Sequence, residues 1–392
     1  MEKKKIAIFH CAFVYSGGGE RIVLEEAREL KKRGYQVEVY APTVDYKNCY
    51  PKLLRKLKVK MFLPSYFGRL PFRNAARMLA TSLLAPFLIY KFLDTDIFIG
   101  ANQPGIWIAF CIAKLLGKPY IVYLNQPNRI VYPRPIDRKY GWYTTVRDYH
   151  FLYRLLTFAR PIILHLDKYS VQFSNAIFVN GDYIGSAIEN IYSRSVINAP
   201  AASHVHSISK NQRNYLLITN RHDPQKRFDF VILALEKVLK INKKLKLIIP
   251  GPFTQHTKNL INLAKRMGIE QNVKFIGKVT ESKLQNLYKK AYLYCYPSPE
   301  EDFGLGPLEA GGWGVPTVAW RNAGPTVTVV DGTTGYLAKP YDINDYAKKI
   351  LKLLNNKKLR DKMGKNAYKR TKDLFSWEKH VDTLESTIKT VL

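Results

Sequence analysis

The opening of the chain leaves few folds available to it. An apolar run from Lys5 to Phe9 is followed by the cluster Gly17-Gly18-Gly19 and by a helical period through Ile22, Leu24, Ala27 and Leu30. Gly34 then acts as a stop, and a second apolar run extends from Gln36 to Tyr40. Strand, helix and strand in that order make a βαβ unit. A helix between two strands forces a parallel pair with a right-handed crossover. Further strand signals at Asp96 to Gly100, Pro119 to Tyr123 and Ala176 to Asn180 each follow a helical stretch, so one α/β domain is predicted to end near residue 190.

Ser203 to Asn214 is polar apart from Val205 and Ile208 and starts no period, which reads as a linker. The alternation then restarts at Tyr215 to Thr219 and continues through Lys246 to Ile249, Val273 to Ile276, Tyr292 to Tyr296 and Pro316 to Trp320. A second, similar α/β domain is predicted, with the two facing each other. Ligands of such sheets bind outside the carboxyl ends of the strands, so a cleft between the domains is the expected site.

Composition narrows the class further. The 392 residues hold 62 Lys and Arg against 31 Asp and Glu, a formal charge of +31, and 46% of them are hydrophobic. Enough apolar material for real cores excludes a disordered chain or a fibre. The charge suits nucleic acid, an anionic membrane surface or phosphorylated small molecules. Cys11, Cys49, Cys111 and Cys295 stand far apart without a CxxC pair, so neither a disulfide framework nor a structural zinc site is expected. A reducing compartment follows. The basic start Met1-Glu-Lys-Lys-Lys precedes an apolar run too short for a secretory signal. Met78 to Leu93 is almost wholly apolar but contains Pro86. It falls short of the ~20 residues of a membrane span, which predicts a buried helix or one lying in a lipid interface.

Several stretches carry chemistry. Gly17, Gly18 and Gly19 let backbone N–H groups and a positive helix end approach an anion, although a plain turn fits as well. The cluster is not GxGxxG, and Val39, Tyr40 and Ala41 close the second strand without an acid, which disfavours a nicotinamide cofactor. Arg221 follows the strand Tyr215 to Thr219, and Lys226 precedes a helix beginning near Phe228, so both cations project at the carboxyl edge of the second sheet. They suit a diphosphate.

The most specific block runs from Tyr296 to Pro316. Glu301 falls in a loop after a strand, and Gly304 to Pro307 starts a helix with Glu309 on its second turn. The N–H groups of Phe303, Gly304 and Leu305 between them predict an anion seat. Asp94-Thr-Asp96 has the form of a metal-binding DxD, but Asp96 opens a strand where such a motif should close one. His204 and His206 lack a third ligand, and His222 reads as a loop residue.

The Tyr296 to Pro316 block resembles the E-x7-E signature of the retaining glycosyltransferases of family 4, and the resemblance extends over nearly the whole chain. Ser16-Gly-Gly-Gly-Glu-Arg-Ile is similar to that family's N-terminal glycine loop and Arg221 with Lys226 to its diphosphate pair. Asp331-Gly-Thr-Thr-Gly335 is similar to its second-domain turn, and Phe375-Ser-Trp377 to the start of its last helix. The implied fold is α/β of the GT-B type: two Rossmann-like domains facing across a cleft, with the C-terminal helix crossing back to the first. The boundaries are then 1–200 with 376–392 for the acceptor-binding domain, 201–214 for the linker, and 215–375 for the nucleotide-sugar domain.

The resemblance also implies roles. Arg221 and Lys226 would stabilise a departing nucleoside diphosphate, Glu309 would hold ribose hydroxyls, and Glu301 would bind donor-sugar hydroxyls as charge develops at the anomeric carbon. Gly251 and Val279 fall where the family packs backbone around the nucleotide. No metal and no cofactor are implied, the nucleotide-sugar being a substrate. Asn125 stands where many members carry a histidine, Asp302 where they carry a glycine, and Val327 where many carry a glutamate. Asparagine cannot carry a proton in an acid-base role. The stretch Asn125 to Tyr132 resembles mannosyl-transferring members and favours GDP-mannose, with a UDP-hexose as the alternative donor. A lipid-linked or oligosaccharide acceptor is implied. Arg55, Lys56, Lys58, Lys60, Arg69, Arg73 and Arg77, set around Phe62, Tyr66, Phe67 and Phe72, suggest an anionic membrane surface as partner, with the protein peripheral at its cytosolic face. A non-catalytic sugar-nucleotide or nucleic-acid binding protein is the alternative of another class, although no nucleic-acid motif supports it.

Overall fold

The computed structural model describes residues 4–63, 73–140, 158–208 and 214–392. The chain forms two compact units: Met1–Pro133, Asp148–Ala201 and Trp377–Leu392 make one, and Arg134–Arg147 with Ala202–Ser376 make the other. Of these ranges, only the described residues are treated below.

The first unit is built on a parallel sheet of β1 (Lys5–His10), β2 (Gln36–Ala41), β3 (Lys60–Met61), β4 (Ile97–Ala101), β5 (Tyr120–Leu124), β6 (Ala176–Val179) and β7 (Ile197–Asn198). Their order is β3-β2-β1-β4-β5-β6-β7. All residues of β4 and β5 are buried, as expected of central strands covered on both faces. The helices in chain order are α1 (Gly18–Lys32), α2 (Pro51–Leu57), α3 (Arg73–Leu84), α4 (Gly105–Leu116), α5 (Pro135–Tyr140), α6 (Arg160–Gln172) and α7 (Asp182–Tyr192), of which α5 lies in the second unit. The chain leaves β1 toward β2 and later returns beside β1 as β4. Right-handed crossovers on either side of that switch point put α1 on one face and α4 on the other. The carboxyl ends of β1 and β4 diverge there, which places His10 and Asn102 at the rim.

Phe62 is buried in an aromatic cluster, its ring centroid 5.1 Å from Phe9 and 5.4 Å from Tyr40, with Phe92 a further 5.1 Å from Phe9. Each edge contact contributes about 0.5–1.5 kcal/mol beyond area burial. Phe62, expected as part of an interfacial patch, instead packs inward. Tyr66, Phe67, Arg69 and Phe72 and the side chain of Arg73 lie outside the described residues. The stretch Met78 to Leu93 is also not a buried helix. It is α3 followed, from Ala85 to Lys91, by a 3-10 segment, because Pro86 supplies no N–H to continue the α ladder. Leu88 and Phe92 are buried while Leu79, Leu83 and Phe87 are exposed.

The second unit repeats the plan with β8 (Tyr215–Leu217), β9 (Leu247–Pro250), β10 (Val273–Gly277), β11 (Ala291–Tyr296), β12 (Thr317–Trp320) and β13 (Gly335–Ala338), in the parallel order β10-β9-β8-β11-β12-β13. Its helices are α8 (Phe228–Leu239), α9 (Gln255–Arg266), α10 (Glu281–Lys290), α11 (Leu305–Gly311), α12 (Pro325–Thr328), α13 (Ile343–Leu354) and α14 (Lys357–Leu374). Trp320 is fully buried, with the Phe230 ring edge-on at 4.8 Å. The Asp331–Gly335 turn leads into β13, and a Cβ on Gly335 would stand 2.0 Å from the Thr317 carbonyl oxygen. Only glycine lets β13 approach β12 there.

The stretch read as a linker is packed in its described part. The Ser203 amide donates to the Phe375 carbonyl at 3.0 Å, the His206 ring stacks on Trp313 with centroids 4.0 Å apart, and Ile208 lies against Gly314. Ile208, one of its two apolar side chains, thus has its neighbour within the second unit. Arg134–Tyr140, sequentially inside the expected first domain, likewise groups with the second.

The last helix, α15 (Trp377–Val391), packs on α1 of the first unit. His380 Nε2 lies 3.0 Å from Glu26 Oε1, both side chains fully buried. Arg33 pairs with Asp382 at 2.7 Å and with Glu385 at 2.6 Å.

Candidate active site

In the second unit the adjacency of β8 and β11 brings together residues far apart in sequence. The loop after β8 carries Arg221 and ends in the 3-10 turn Pro224–Lys226, and the loop after β11 carries Glu300, Glu301 and Asp302. Lys226 Nζ lies 2.6 Å from Glu301 Oε2, both side chains largely buried. Burial alone would raise the Glu301 pKa. The charges of Lys226 and Arg134 and hydrogen bonds from Lys226 and Tyr296 outweigh it and hold the carboxyl below its ordinary range. Glu301 is therefore an ionised acceptor at neutral pH. Arg221 is more open and pairs with Asp223 at 3.4 Å.

Glu309, on the second turn of α11, accepts from the Tyr288 hydroxyl at 2.8 Å. Tyr288 and Tyr294 both meet the Thr219 hydroxyl, at 3.0 and 2.8 Å, so the carboxylate belongs to a fixed network at the carboxyl ends of β8 and β11. Gly304 takes a left-handed conformation with φ +92 and starts α11, whose first N–H groups, those of Leu305 and Gly306, have no partner within the helix. Phe303 is buried, its ring 6.0 Å from that of Phe375. Gly251 is required by close packing: a Cβ there would stand 2.0 Å from the Asn220 carbonyl oxygen, so the end of β9 touches the loop that aims Arg221. Val279 lies half-buried just before Thr280, the N-cap of α10.

Sequence reasoning missed Arg134. Its guanidinium donates to the Glu300 carbonyl at 2.8 Å and pairs with Asp137 at 2.9 Å and with Asp302 at 3.7 Å. Glu300 itself is left-handed with φ +51, and its amide donates to Asn322 Oδ1 at 2.9 Å, while its carboxylate accepts from the Ile136 amide at 3.0 Å. A left-handed non-glycine residue costs about 1–3 kcal/mol, here offset by those bonds. Glu301 is thus aimed by a loop clamped from both sides. Asp302, in place of a glycine, is one end of that clamp.

In the first unit Gly17 caps α1, and Gly18 and Gly19 begin it. Glu20 is buried in that first turn, its Oε2 2.5 Å from where a Gly17 Cβ would stand. The positive helix end is therefore already met by a carboxylate, which argues against a second anion there. Gly19 instead keeps space open before Asn125 and Asn102, whose Nδ2 atoms lie 3.5 and 3.6 Å from its virtual Cβ. The Asn125 amide donates to Asn102 Oδ1 at 3.2 Å, Asn180 Nδ2 donates to Asn125 Oδ1 at 2.7 Å, and Tyr123 donates to Asn180 Oδ1 at 2.6 Å. Asn125 Nδ2 is buried and makes no hydrogen bond. A donor so placed costs about 1–3 kcal/mol unless something accepts from it. Asp94 pairs with Lys5 at 2.7 Å and Asp96 accepts from the Lys5 amide, both at the amino edge of the sheet, away from any of these groups.

Two family profiles divide the chain between them: Glycosyltransferase Family 4 matches residues 16–197 and Glycosyl transferases group 1 matches residues 202–370. The chain belongs to the family 4 glycosyltransferases. It is an enzyme of the GT-B fold and not a binding module alone. The α-1,3/1,6-mannosyltransferase alg-2 of Neurospora crassa is 25% identical over 99% of this chain and 91% of that protein. The human α-1,3/1,6-mannosyltransferase ALG2 is 23% identical over 94% of this chain and 92% of that protein. Among solved structures, Anabaena HepE in complex with UDP and glucose superposes with TM-score 0.76 at 15% identity, covering 99% of this chain and 100% of that one.

Proposed function

We propose that this glycosyltransferase moves mannose from GDP-mannose, with retention, onto a lipid-linked oligosaccharide, and that it works peripherally at the cytosolic face of a membrane. The observation that carries the reading is the Lys226–Glu301 pair beside the Tyr288-bound Glu309. Arg221 and Lys226 take the charge of a diphosphate leaving group, so the reaction is expected to need no divalent ion. Glu301, ionised, accepts from donor-sugar hydroxyls and stabilises the positive charge that grows at the anomeric carbon; it has no proton to give. Glu309 takes the ribose, with Gly251, Val279 and the Phe303 to Leu305 backbone around the nucleotide. Gly19 and Asn125 of the first unit suit a neutral hydroxyl-bearing group and not a phosphate.

The alignment of mannosyltransferases along almost the whole chain supports mannose. The UDP in solved relatives of the fold keeps a UDP-hexose as the second donor to try. The test is a thermal-shift screen of GDP- and UDP-sugars followed by transfer assays in EDTA. A donor at a hundred times its Kd adds about 2.7 kcal/mol to stability. GDP-mannose is expected to give the largest shift, and Lys226→Ala to cut turnover about 10²–10³-fold. A larger shift with a UDP-hexose overturns the donor, and unchanged turnover in Glu301→Ala overturns that residue's role.

A further inference from the structure

The face of the first unit built from α3, the 3-10 segment, α4 and α6 is oriented against the usual rule. Along and beside α6, Phe158, Ile162, Leu166, Tyr169 and Phe173 are exposed, Phe158 at 87% and Ile162 at 75%. Their spacing of four, four, three and four residues puts them on one side of the helix. The opposite side holds Ile163, Val171 and Asp167, all buried. Asp167 accepts from Gln103 Nε2 at 2.7 Å, from Asn128 Nδ2 at 3.1 Å and from the Tyr192 hydroxyl at 2.7 Å. The helix therefore turns its carboxylate inward and its large apolar side chains to the outside.

The same arrangement recurs across α4, which lies between α6 and the 3-10 segment. Leu79, Leu83 and Phe87, the last 73% exposed, continue an outward stripe, and Leu115 stands on α4 itself. Lys114 Nζ sits 5.3 Å over the Phe173 ring, joining the two exposed surfaces. Charge is one-sided. Over 73–93, 105–118 and 158–173, Asp167 is the sole acid, and the basic residues include Lys91, Lys114, Lys118, Arg160 and Lys168. Asp94, next beyond Leu93, is paired with Lys5. No helix among the described residues is long and apolar enough to cross a membrane.

We propose that this face lies in the headgroup region of an anionic lipid bilayer, with the Phe87 and Ile162 stripes buried among the acyl boundary and the lysines on lipid phosphates. Apolar area and basic charge together are what interfacial binding requires, and a rim where bases outnumber acids is what an anionic surface selects. The surface takes in Met78 to Leu93, for which an interfacial helix is one of the two sequence readings, and adds α4 and α6 to it. The proposal deepens the membrane part of the reading above and needs nothing from the donor assignment.

Flotation of the full chain with vesicles of phosphatidylglycerol and phosphatidylcholine, and of phosphatidylcholine alone, tests it without turnover. The protein is expected to float with the anionic vesicles, and Phe87→Asp with Ile162→Asp to lower partitioning roughly hundredfold, since two buried apolar side chains are lost. Both are exposed, so the melting point and the donor-induced shift should stay at wild-type values. If that variant melts early, Lys114→Glu with Lys168→Glu replaces it, with an expected loss of about tenfold or more that high salt mimics in the wild type. Absence of flotation in the wild type, or equal flotation of the variants, overturns the proposal. So does a wild-type dimer that the Asp pair dissociates without changing flotation, which would assign the face to a second copy of the chain.

Discussion

The two units have parallel sheets with a switch point at the same place, between β1 and β4 and between β8 and β11. What they place at those strand ends differs. The second unit presents ions, Lys226 on Glu301 with Arg221 beside them, and anchors them through tyrosines and a clamped loop. The first presents amides, Asn102, Asn125 and Asn180, around a space kept open by Gly19. The same topology thus carries two kinds of polar group: cations held against an acid in one unit, and neutral amides beside a helix end that a carboxylate already meets in the other. Breaking the clamp should damage the charged half most. Arg134→Ala removes the cation that Asp137 and Asp302 share and releases the Glu300 carbonyl, and breaking such a buried pair costs about 3–5 kcal/mol. Turnover is expected to fall about a hundredfold with Glu301 misaimed. Arg134→Lys, which keeps charge but not the planar fork, should recover little of it. Wild-type kcat in both variants would show that Glu301 needs no such support.

Much of this contrast was legible in the residues. Arg221, Lys226 and Glu301 lie in loops that follow a strand, and Glu309 rides on the helix that the second loop enters, so their place at the carboxyl edge follows from local grammar, and the expected strands reappear within a few residues. Arg134 was not legible, because its role arises from the chain passing into the other unit between two stretches of the first. β13 was missed because Gly335-Tyr-Leu-Ala is too short to stand out as a strand; it exists because glycine permits contact with Thr317. Phe62 was misread, and the buried reading of Met78 to Leu93 failed, for one reason. Apolar composition says that a side chain wants cover but not which neighbour supplies it, and Pro86 decided the second case by ending α3.

A feature the units share allows a finer test. His10 at the end of β1 and His222 after β8 are both buried, and burial pushes each imidazole down to about 4. Between the ordinary 6.5 and about 4 the unfolded chain binds protons that the folded chain refuses, so stability falls as pH drops through that window and this loss levels off below it. At 1.36 kcal/mol per unit, each histidine accounts for up to about 3 kcal/mol. Urea denaturation across pH 4–7 should show the loss, and His10→Asn or His222→Asn should each remove a share of it. Equal pH dependence in wild type and both variants would mean that other groups govern acid sensitivity.

The smallest expected effect sharpens the neutral half. Gly19→Ala would place a methyl 3.5 Å from Asn125 Nδ2 and 3.6 Å from Asn102 Nδ2, ordinary van der Waals distances, so the fold has no reason to shift. Near the start of α1 the change should even add a few tenths of a kcal/mol. The methyl does occupy the space into which the unmatched Asn125 donor points. Losing one neutral hydrogen bond there, worth about 1 kcal/mol, should raise KM several-fold with the melting point unchanged or slightly higher. Lys226→Ala, by contrast, should act on kcat. If Gly19→Ala leaves KM untouched, the three glycines serve the turn into α1 and nothing more, and Asn125 carries its unpaired donor as a cost without a ligand to answer it.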